Sequence, residues 1–570
     1  MKNKIVAMIT AGAMVASMVS ALPAYADESA ASSTAAMTEA PSDDSLDAKK
    51  KEIRAQYGEN KLITDDNYDK SLAVKCINGT FVGKKTDNTI AYKGIPFVSE
   101  QPVGEYRWKA PVEYTADDGV YEAYYNGKTP YQLEEKSEAA SLYVMGEDCL
   151  YLNIWKADDA SAEKKPVMVW MHGGGYLLGG TSDPAYDCHS FVEENPDVIV
   201  VSTEYRVGPF GYLHLSHLPD GEDYPDAQNL GLMDQVMALK WVHENIENFG
   251  GDPDNVTIWG ESAGAGSVSV IPLVEGAQEY FNRIIAQSGA PSFSISTEEA
   301  IEHTNEVMDM LGCETVADLQ EVDIQDLLTA SYVVMGLRTA TEADGIYLPL
   351  DPYAEYANGA VKNIDILHGF NKDEMNYFAA AMGFEVFKMW ANNRKSEKIA
   401  QLPEEDLERV NSFLNDAPGE QWERDSALIS QLWFNAAHFR MAEEQAAGGG
   451  KSYLYYFTPE SSVPHVKCGH GMELPGIFNH PEETALTGRV IDETFSKIMR
   501  KMWVQFAKTG NPSLSADISP DGKAYEWPLY DPEKKEVMVF DEFNIHPEKE
   551  SERKMVDWER MYPLTSYYLL

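Results

Sequence analysis

A serine flanked by glycines stands at the centre of a G-x-S-x-G pattern, formed by Gly260-Glu261-Ser262-Ala263-Gly264. The β-branched run Val256–Trp259 before it predicts a strand, and the small residues Ala265–Val268 after it are compatible with a helix. Flanking glycines permit a strained turn that holds a serine hydroxyl above a sheet, and a helix N-terminus favours the negative charge that develops there. The bare pattern occurs by chance in roughly one chain in five of this length, so an inert serine in a glycine-rich turn is the alternative. The setting between strand and helix predicts that Ser262 is a nucleophile.

A second glycine cluster, His172-Gly173-Gly174-Gly175, follows the predicted strand Pro166–Met171. Residues without side chains let backbone N–H groups approach a substrate oxygen closely, and each donor aimed at a tetrahedral oxyanion is worth roughly 3 kcal/mol of barrier. We therefore predict an oxyanion hole whose donors are the N–H groups of Gly174, Gly175 and Ala263, the residue after the nucleophile. A flexible loop without a catalytic role is the alternative that three glycines in isolation would favour.

A serine hydroxyl also needs a base within hydrogen-bond reach and an acid that orients the base. The chain has twelve histidines, of which His465 and His470 follow the late predicted strand Ser452–Phe457. His470 stands between two glycines, which suits an exposed loop position, and it is favoured over His465 on that ground. His172, inside the glycine cluster, and His438, among apolar residues, are interpreted as structural.

Two neighbouring carboxylates, Asp373 and Glu374, are the candidates for the acid, because they follow the predicted strand Ile364–Leu367 at a strand end where such a residue should stand. Either carboxylate can orient an imidazole, and spacing alone does not separate them. An uninvolved surface pair is a further alternative in a chain so rich in acidic residues.

These residues must be positioned by elements that alternate along the chain. Short β-branched runs alternate with helical patterns, which predicts βα units around a largely parallel sheet. Apolar residues from Leu232 to Phe249 recur at helical spacing and stop at Gly250-Gly251, which predicts an amphipathic helix with a glycine cap. This helix leads into the strand that ends at the serine, so strand, helix, strand and nucleophile follow in order.

Composition limits the class of protein. The chain has 570 residues, of which 44% are hydrophobic, so it is long and apolar enough to bury a large core. Its formal net charge of −46 would repel a phosphate backbone, so nucleic acid is not expected as a partner. Five scattered cysteines and the absence of CxxC and HExxH patterns give no support for a disulfide scaffold or a metal site, and no cofactor is expected.

The N-terminal residues 1–26 have the charged, apolar and small-residue segments of a secretory signal peptide, which predicts a secreted or extracytoplasmic protein that begins near Asp27. An uncleaved membrane anchor is the alternative for this segment, and no later stretch is predicted to span a membrane. Residues 27–70 begin with a tract rich in Ser, Ala and acidic residues and are interpreted as a flexible leader. Residues 71–570 are interpreted as one catalytic domain.

A series of motifs between about Cys76 and Tyr530 resembles, in its order along the chain, the type-B carboxylesterase family. This family includes cholinesterases and bacterial nitrobenzyl-ester hydrolases. The segments are YKGIPF, EDCLYLNIW, HGGGY, EYRVGPFGYL, the long stretch QNLGLMDQVMALKWVHENIENFGGDPDNVTIWGESAG, AQSG, GFNKDE, GHGMELP and FAKTGNP. The resemblance implies an α/β-hydrolase fold, with a central, mostly parallel, twisted sheet flanked by helices. Taken with the predicted signal peptide, it also implies a secreted serine hydrolase that cleaves small-molecule carboxylic esters through an acyl-enzyme.

The same resemblance implies roles for individual residues. The glutamate that closes NKDE is the acid in this family and the histidine that opens HGxE is the base, which implies Glu374 and His470 as partners of Ser262. Three further residues match positions that surround such a triad, namely Glu261, Ser288 and Glu473. Two alternative hypotheses for the function remain open. The protein could be a non-catalytic, neuroligin-like adhesion protein on the same fold, or it could be a lactonase, amidase or phenolic-ester hydrolase. Residues 135–146 contain no Trp to capture a choline cation, so a cholinesterase is not expected.

Overall fold

The structure, a computed structural model, describes residues 50–133, 143–159, 163–482 and 485–567. The predicted signal peptide, residues 1–26, and the first part of the predicted leader, residues 27–49, lie outside the described residues. The division of the chain into leader and a single catalytic domain stays a prediction.

One large sheet forms the centre of the described chain. Its eleven strands are β1 Lys84–Thr86, β2 Thr89–Pro96, β3 Tyr151–Ala157, β4 Lys165–Met171, β5 Ile199–Thr203, β6 Gly251–Glu261, β7 Arg283–Gln287, β8 Asp365–Asn371, β9 Ser452–Phe457, β10 Glu536–Asp541 and β11 Asn544–Lys549. Their spatial order is β1-β2-β3-β5-β4-β6-β7-β8-β9-β10-β11. Strands β4 to β10 run parallel, and β1, β2, β3 and β11 pair antiparallel with their neighbours at the two sides.

Smaller sheets lie outside this one. A three-stranded sheet contains Ala73–Cys76, Asn78–Val82 and Asp117–Glu122. Three two-stranded pairs are formed by Val98–Glu100 with Val112–Glu113, Thr129–Pro130 with Met145–Gly146, and Ser294–Ser296 with Thr341–Ala343.

Helices connect the strands. The described residues contain α1 His189–Glu194, α2 Leu230–Asn245, α3 Ala263–Val270, α4 Thr297–Leu311, α5 Val316–Gln320, α6 Ile324–Val334, α7 Pro352–Ala357, α8 Met375–Met382, α9 Phe384–Glu397, α10 Glu404–Asp416, α11 Gln421–Ser430, α12 Ala436–Ala447, α13 Leu474–Phe478, α14 Glu493–Thr509 and α15 Glu550–Arg553. Helix α2 continues into a 3₁₀ turn, Ile246–Phe249, and stops at Gly250, whose φ of 90° is left-handed. None of the described helices is long and apolar enough to cross a membrane.

The core lies on both faces of the sheet. Along β4, Val167, Val169 and Met171 join an apolar cluster on one face, while Met168 and Trp170 join a second cluster on the other. Side chains alternate between the faces of a strand, so a strand covered on both sides needs a continuous apolar run. This explains why the central strands appear in the sequence as β-branched runs. The mostly parallel central sheet, with helices connecting its strands, is the architecture predicted for an α/β-hydrolase fold.

Residues 50–69, which we call the N-terminal segment, fall within the predicted flexible leader, yet the structure packs much of this segment against the rest of the chain. Ile53 is fully buried, and the N–H of Ile63 donates to the carbonyl of Val120 at 2.7 Å. The difference between the predicted flexible leader and the docked segment has a cause in the sequence of this segment. The apolar and amide side chains that dock the segment are few and irregularly spaced, so they produce no helical or strand period in the sequence.

Candidate functional site

Strand β6 runs directly into Ser262, and helix α3 begins at the next residue, Ala263. Ser262 has φ 57° and ψ −123°, a conformation that L-residues rarely adopt, and its N–H donates to the carbonyl of Gln287 at 2.8 Å. The two glycines of the pattern permit close packing. A Cβ on Gly260 would lie 2.5 Å from the carbonyl carbon of Gly264, and a Cβ on Gly264 would lie 2.0 Å from the Met171 carbonyl oxygen. The local sequence thus builds the strained turn that was predicted.

The structure brings His470 and Glu374 together across 96 residues of sequence. His470 Nδ1 donates to Glu374 Oε2 at 2.6 Å. The second oxygen of this carboxylate accepts from Ser288 Oγ at 2.6 Å and from the N–H of Asn371 at 2.7 Å. Both members of the pair are buried, with Glu374 fully covered. A carboxylate held by several donors fixes the tautomer and the orientation of the imidazole.

The other imidazole nitrogen faces Glu261, the residue before the serine. His470 Nε2 lies 3.0 Å from Glu261 Oε1, and neither atom makes a hydrogen bond of good geometry within the described residues. No hydrogen bond joins His470 Nε2 to Ser262 Oγ in this part of the chain. Burial alone would lower the pKa of His470, but the charges of Glu261 and Glu374 outweigh burial and raise it. Burial raises the pKa of Glu261.

A third buried carboxylate, Glu473, stands behind the pair. It accepts from Gln287 Nε2 at 3.1 Å and from Asn371 Nδ2 at 2.7 Å. Gln287 is in turn held by the indole N–H of Trp503 at 3.0 Å. Burial raises the pKa of Glu473. Sequence reasoning named Glu473 but missed Gln287 and Asn371, although both lie inside the AQSG and GFNKDE motifs.

The glycine cluster lies against the serine. A Cβ on Gly173 would lie 3.1 Å from Ser262 Cβ and 2.7 Å from Glu261 Oε2. Gly174 and Gly175 have φ of 113° and 62°, and within the described residues neither N–H donates a hydrogen bond. Ala263 is the first residue of α3, so its N–H has no partner inside the helix. Backbone donors are therefore available on the serine side of the site.

The other candidate histidines have different surroundings. His172 is fully buried, its Nδ1 donates to the Gly173 carbonyl at 2.8 Å, and burial lowers its pKa to about 4. His438 is buried against His368 and accepts from the N–H of Gly289 at 3.1 Å. His465 packs edge-on against Phe384 with ring centroids 4.9 Å apart. The structure therefore brings His470, and none of these three, to Glu374.

Aromatic rings cover the imidazole of His470. The ring centroids of Phe378 and Phe434 lie 5.1 and 5.2 Å from that of His470. Apolar walls exclude water, which strengthens electrostatic interactions inside a site. Within the part of the chain that the structure describes, no group of three His, Cys, Asp or Glu residues is arranged to hold a metal ion, and none of the five cysteines is in a disulfide.

Comparison with known proteins places the chain in a family. Residues 70–556 match the carboxylesterase family. The para-nitrobenzyl esterase of Bacillus subtilis (strain 168) is 33% identical over 523 residues, which cover 85% of this chain and 97% of the relative. The acetylcholinesterase of Danio rerio is 30% identical over 513 residues, 78% of this chain and 80% of the relative.

Solved structures agree with this result. The carboxylesterase EST55 of Geobacillus stearothermophilus is similar with a TM-score of 0.73 and 33% identity, and the match covers 85% of this chain and 99% of that one. A structure described as a thermophilic PNB esterase matches with the same TM-score at 30% identity, over 87% of this chain and 99% of that one. Because the match spans most of its length, the chain belongs to the carboxylesterase family and is a carboxylic ester hydrolase.

Proposed function

We propose that the chain hydrolyses small-molecule carboxylic esters through an acyl-enzyme formed on Ser262, with His470 as general base and Glu374 as the acid that orients it. One observation carries this proposal, the 2.6 Å hydrogen bond from His470 Nδ1 to Glu374 Oε2. It fixes the proton on Nδ1 and leaves Nε2 as the atom that exchanges a proton with the hydroxyl.

The resting position of Nε2, beside Glu261 rather than bonded to Ser262 Oγ, bears on the first step. The charges of Glu261, whose Oε1 lies 3.0 Å from Nε2, and of Glu374 raise the pKa of His470. The imidazole accepts the hydroxyl proton in its neutral form as Ser262 attacks the ester carbonyl. Hydrogen bonds at catalytic bases often tighten only when substrate binds, so we expect the bond between Ser262 Oγ and His470 Nε2 to form in the substrate complex.

The later steps follow from the same groups. The tetrahedral oxyanion receives hydrogen bonds from the N–H groups of Gly174, Gly175 and Ala263, each worth roughly 3 kcal/mol. His470 then protonates the leaving alkoxide, and water, activated by the same imidazole, releases the acyl group from the serine. The Glu374 carboxylate stabilises the imidazolium through its hydrogen bond to Nδ1.

Export is the other part of this proposal. Residues 1–26 have the segments of a signal peptide, which supports cleavage near Asp27 and a role outside the cytoplasm. Mass spectrometry of the protein recovered from the culture medium and from the cell fraction checks this. A cell-bound chain that retains residues 1–26 would contradict it.

Substitution of the nucleophile tests the mechanism. Ser262→Ala should abolish hydrolysis of p-nitrophenyl acetate and covalent labelling by a fluorophosphonate, while circular dichroism stays unchanged. The matched control is Ser566→Ala, which removes an exposed hydroxyl whose one hydrogen bond among the described residues is to the nearby carbonyl of Pro563, and this variant should keep both activities. Full turnover or labelling by a folded Ser262→Ala protein would overturn the assignment.

A further inference from the structure

The N-terminal segment precedes the family match, which begins at residue 70, but it is built into the structure. Asn60 makes four hydrogen bonds with the backbone around Lys93, Tyr124 and Tyr125, at 2.8 to 3.1 Å. The carbonyl of Gln56 accepts from the N–H of Asn126 at 2.8 Å. These contacts fix the position of the residues between them, including Tyr57.

The hydroxyl of Tyr57 reaches the segment that follows the glycine cluster. Its oxygen lies 2.6 Å from Thr129 Oγ1 and 2.5 Å from Ser182 Oγ, and these two hydroxyls lie 3.1 Å from each other. Three hydroxyls thus form a closed triangle that joins the N-terminal segment, the strand Thr129–Pro130 and the chain just after the glycine cluster. Burial raises the pKa of Tyr57, so its phenol stays protonated and can donate.

Other side chains hold the rest of this return segment, residues 177–183. The amide of Gln132 bonds both backbone groups of Gly179, donating to its carbonyl at 2.9 Å and accepting from its N–H at 3.0 Å. Glu204 Oε1 accepts from the N–H and the hydroxyl of Thr181 at 2.8 and 2.9 Å. Ser182 follows Thr181 directly, and its hydrogen bond to Tyr57 is a further contact that holds the return segment in place.

The return segment is bonded directly to the proposed oxyanion donors. The N–H groups of Leu177 and Leu178 donate to the carbonyl of Gly174 at 3.1 and 3.0 Å. A Cβ on Gly174 would lie 2.2 Å from the carbonyl oxygen of Leu178, so the two halves of the loop pack without spare room. A shift of the return segment therefore moves the peptide groups that present the Gly174 and Gly175 N–H donors.

We propose that Tyr57 is a positioning residue for ester hydrolysis, and that the N-terminal segment holds the oxyanion loop in shape through the hydroxyl triangle with Thr129 and Ser182. This inference rests on the proposed function, because it assigns the support of the proposed oxyanion hole. Tyr57 does not touch the substrate. It acts on the distance between the N–H donors and the oxyanion, which matters more in the transition state than in the bound ester.

The test uses Tyr57→Phe, which keeps the ring and removes only the hydroxyl. The matched control is Tyr68→Phe in the same segment, whose hydroxyl makes no hydrogen bond within the described residues. We expect kcat to fall about two- to tenfold in Tyr57→Phe, the effect of one net hydrogen bond, with KM within about twofold. The rate is measured with p-nitrophenyl acetate and divided by the number of active sites titrated with a fluorophosphonate, so misfolded molecules do not count.

A second readout reports on the oxyanion itself. A trifluoromethyl ketone adds to the serine and forms an oxyanion, so its inhibition constant should rise by the same factor as kcat/KM falls. Ser182→Ala should lower kcat similarly, and the double variant should be no worse than the poorer single variant, because both remove the same triangle. Unchanged kcat per titrated site, or an inhibition constant that does not follow kcat/KM, would overturn the inference, as would multiplicative effects in the double variant.

Failure of this inference is distinguishable from failure of the proposed function. If Ser262→Ala is inactive while Tyr57→Phe has the same kcat as the unmodified protein, the result supports the proposed triad and contradicts only the role of Tyr57. An active Ser262→Ala protein would instead remove the basis of both.

Discussion

The electrostatic pairing of His470 with Glu261 predicts a shift in the pH dependence of hydrolysis. Glu261 Oε1 lies 3.0 Å from His470 Nε2 in a buried site, and its charge helps to raise the pKa of the imidazole. Glu261→Gln removes this charge but keeps the shape of the side chain. An opposite charge at this distance changes a pKa by about one to three units, so the variant should lose a shift of that size.

The sign follows from the proposed role of His470 as a base. The imidazole must be neutral to accept the hydroxyl proton, so kcat/KM rises with pH through the pKa of His470 in the free enzyme. A lower pKa moves this acidic limb to lower pH. Glu261→Gln should therefore have its acidic limb displaced downward by about one to three pH units and should keep more of its maximal rate in mild acid.

The assay is kcat/KM for ethyl acetate followed by pH-stat from pH 5 to 10, with titrated active sites as the enzyme concentration. Asp373→Asn is the matched control, since it removes a carboxylate next to Glu374 that faces the Cys468 N–H at 3.4 Å rather than His470. Its limb should stay in place. A limb that does not move in Glu261→Gln, or moves upward, would refute the assignment of His470 as the base whose pKa Glu261 raises.

Three further predictions test other parts of the structure. Gly173→Ala would place a Cβ 2.7 Å from Glu261 Oε2 and 3.1 Å from Ser262 Cβ, so kcat should fall about a hundredfold in a folded protein, and an unchanged kcat would contradict the geometry. Ser288→Ala removes a 2.6 Å hydrogen bond to Glu374, and kcat/KM should fall about ten- to a hundredfold, with Ser566→Ala unaffected. The net charge of −46 opposes the compact state, so the thermal unfolding midpoint should rise as NaCl is added at constant pH, whereas a constant or falling midpoint would contradict this reasoning.

Much of the fold was predictable because its central strands are buried on both faces. The runs before Ser262 and before the glycine cluster became β6 and β4, and the helical spacing between them became α2. The strand that ends at Ser262 was recognised from a β-branched run and two glycines alone. For these strands and for α2, the spacing of apolar residues reflects burial directly, so the sequence pattern and the observed element have the same cause.

The choice between neighbouring carboxylates was not predictable from spacing. Asp373 and Glu374 both follow β8, but helix α8 begins at the next residue, and this turn sends their side chains to different partners. Asp373 faces the N–H of Cys468, whereas Glu374 faces the imidazole of His470. Only the family resemblance favoured Glu374, because the direction of a side chain in a turn depends on tertiary contacts that have no periodic signal.

The supports of the site were missed for a related reason. Gln287 ends β7 and Asn371 ends β8, and they meet Glu473 because these parallel strands are neighbours in register, with Gln287 opposite Gly369. The docking of Tyr57 likewise joins residues more than a hundred positions apart. Hydrogen bonds of this kind are set by the register of the strands and by loop geometry, neither of which a local pattern contains.

The site has buried carboxyl groups at one end and backbone N–H groups at the other, an arrangement that suits the transition state of the proposed ester hydrolysis. Three buried carboxylates, Glu261, Glu374 and Glu473, surround the side of His470, where an imidazolium forms when the serine loses its proton. Backbone N–H groups lie on the side of Ser262, where the proposed mechanism forms the oxyanion. Burying three carboxylates together is unfavourable in the resting protein, and the donors on Glu374 and Glu473 offset part of that cost. The remaining negative potential favours the state in which His470 is charged. In the proposed mechanism, the same carboxylates that are unfavourable to bury in the resting site would therefore stabilise the imidazolium of the transition state.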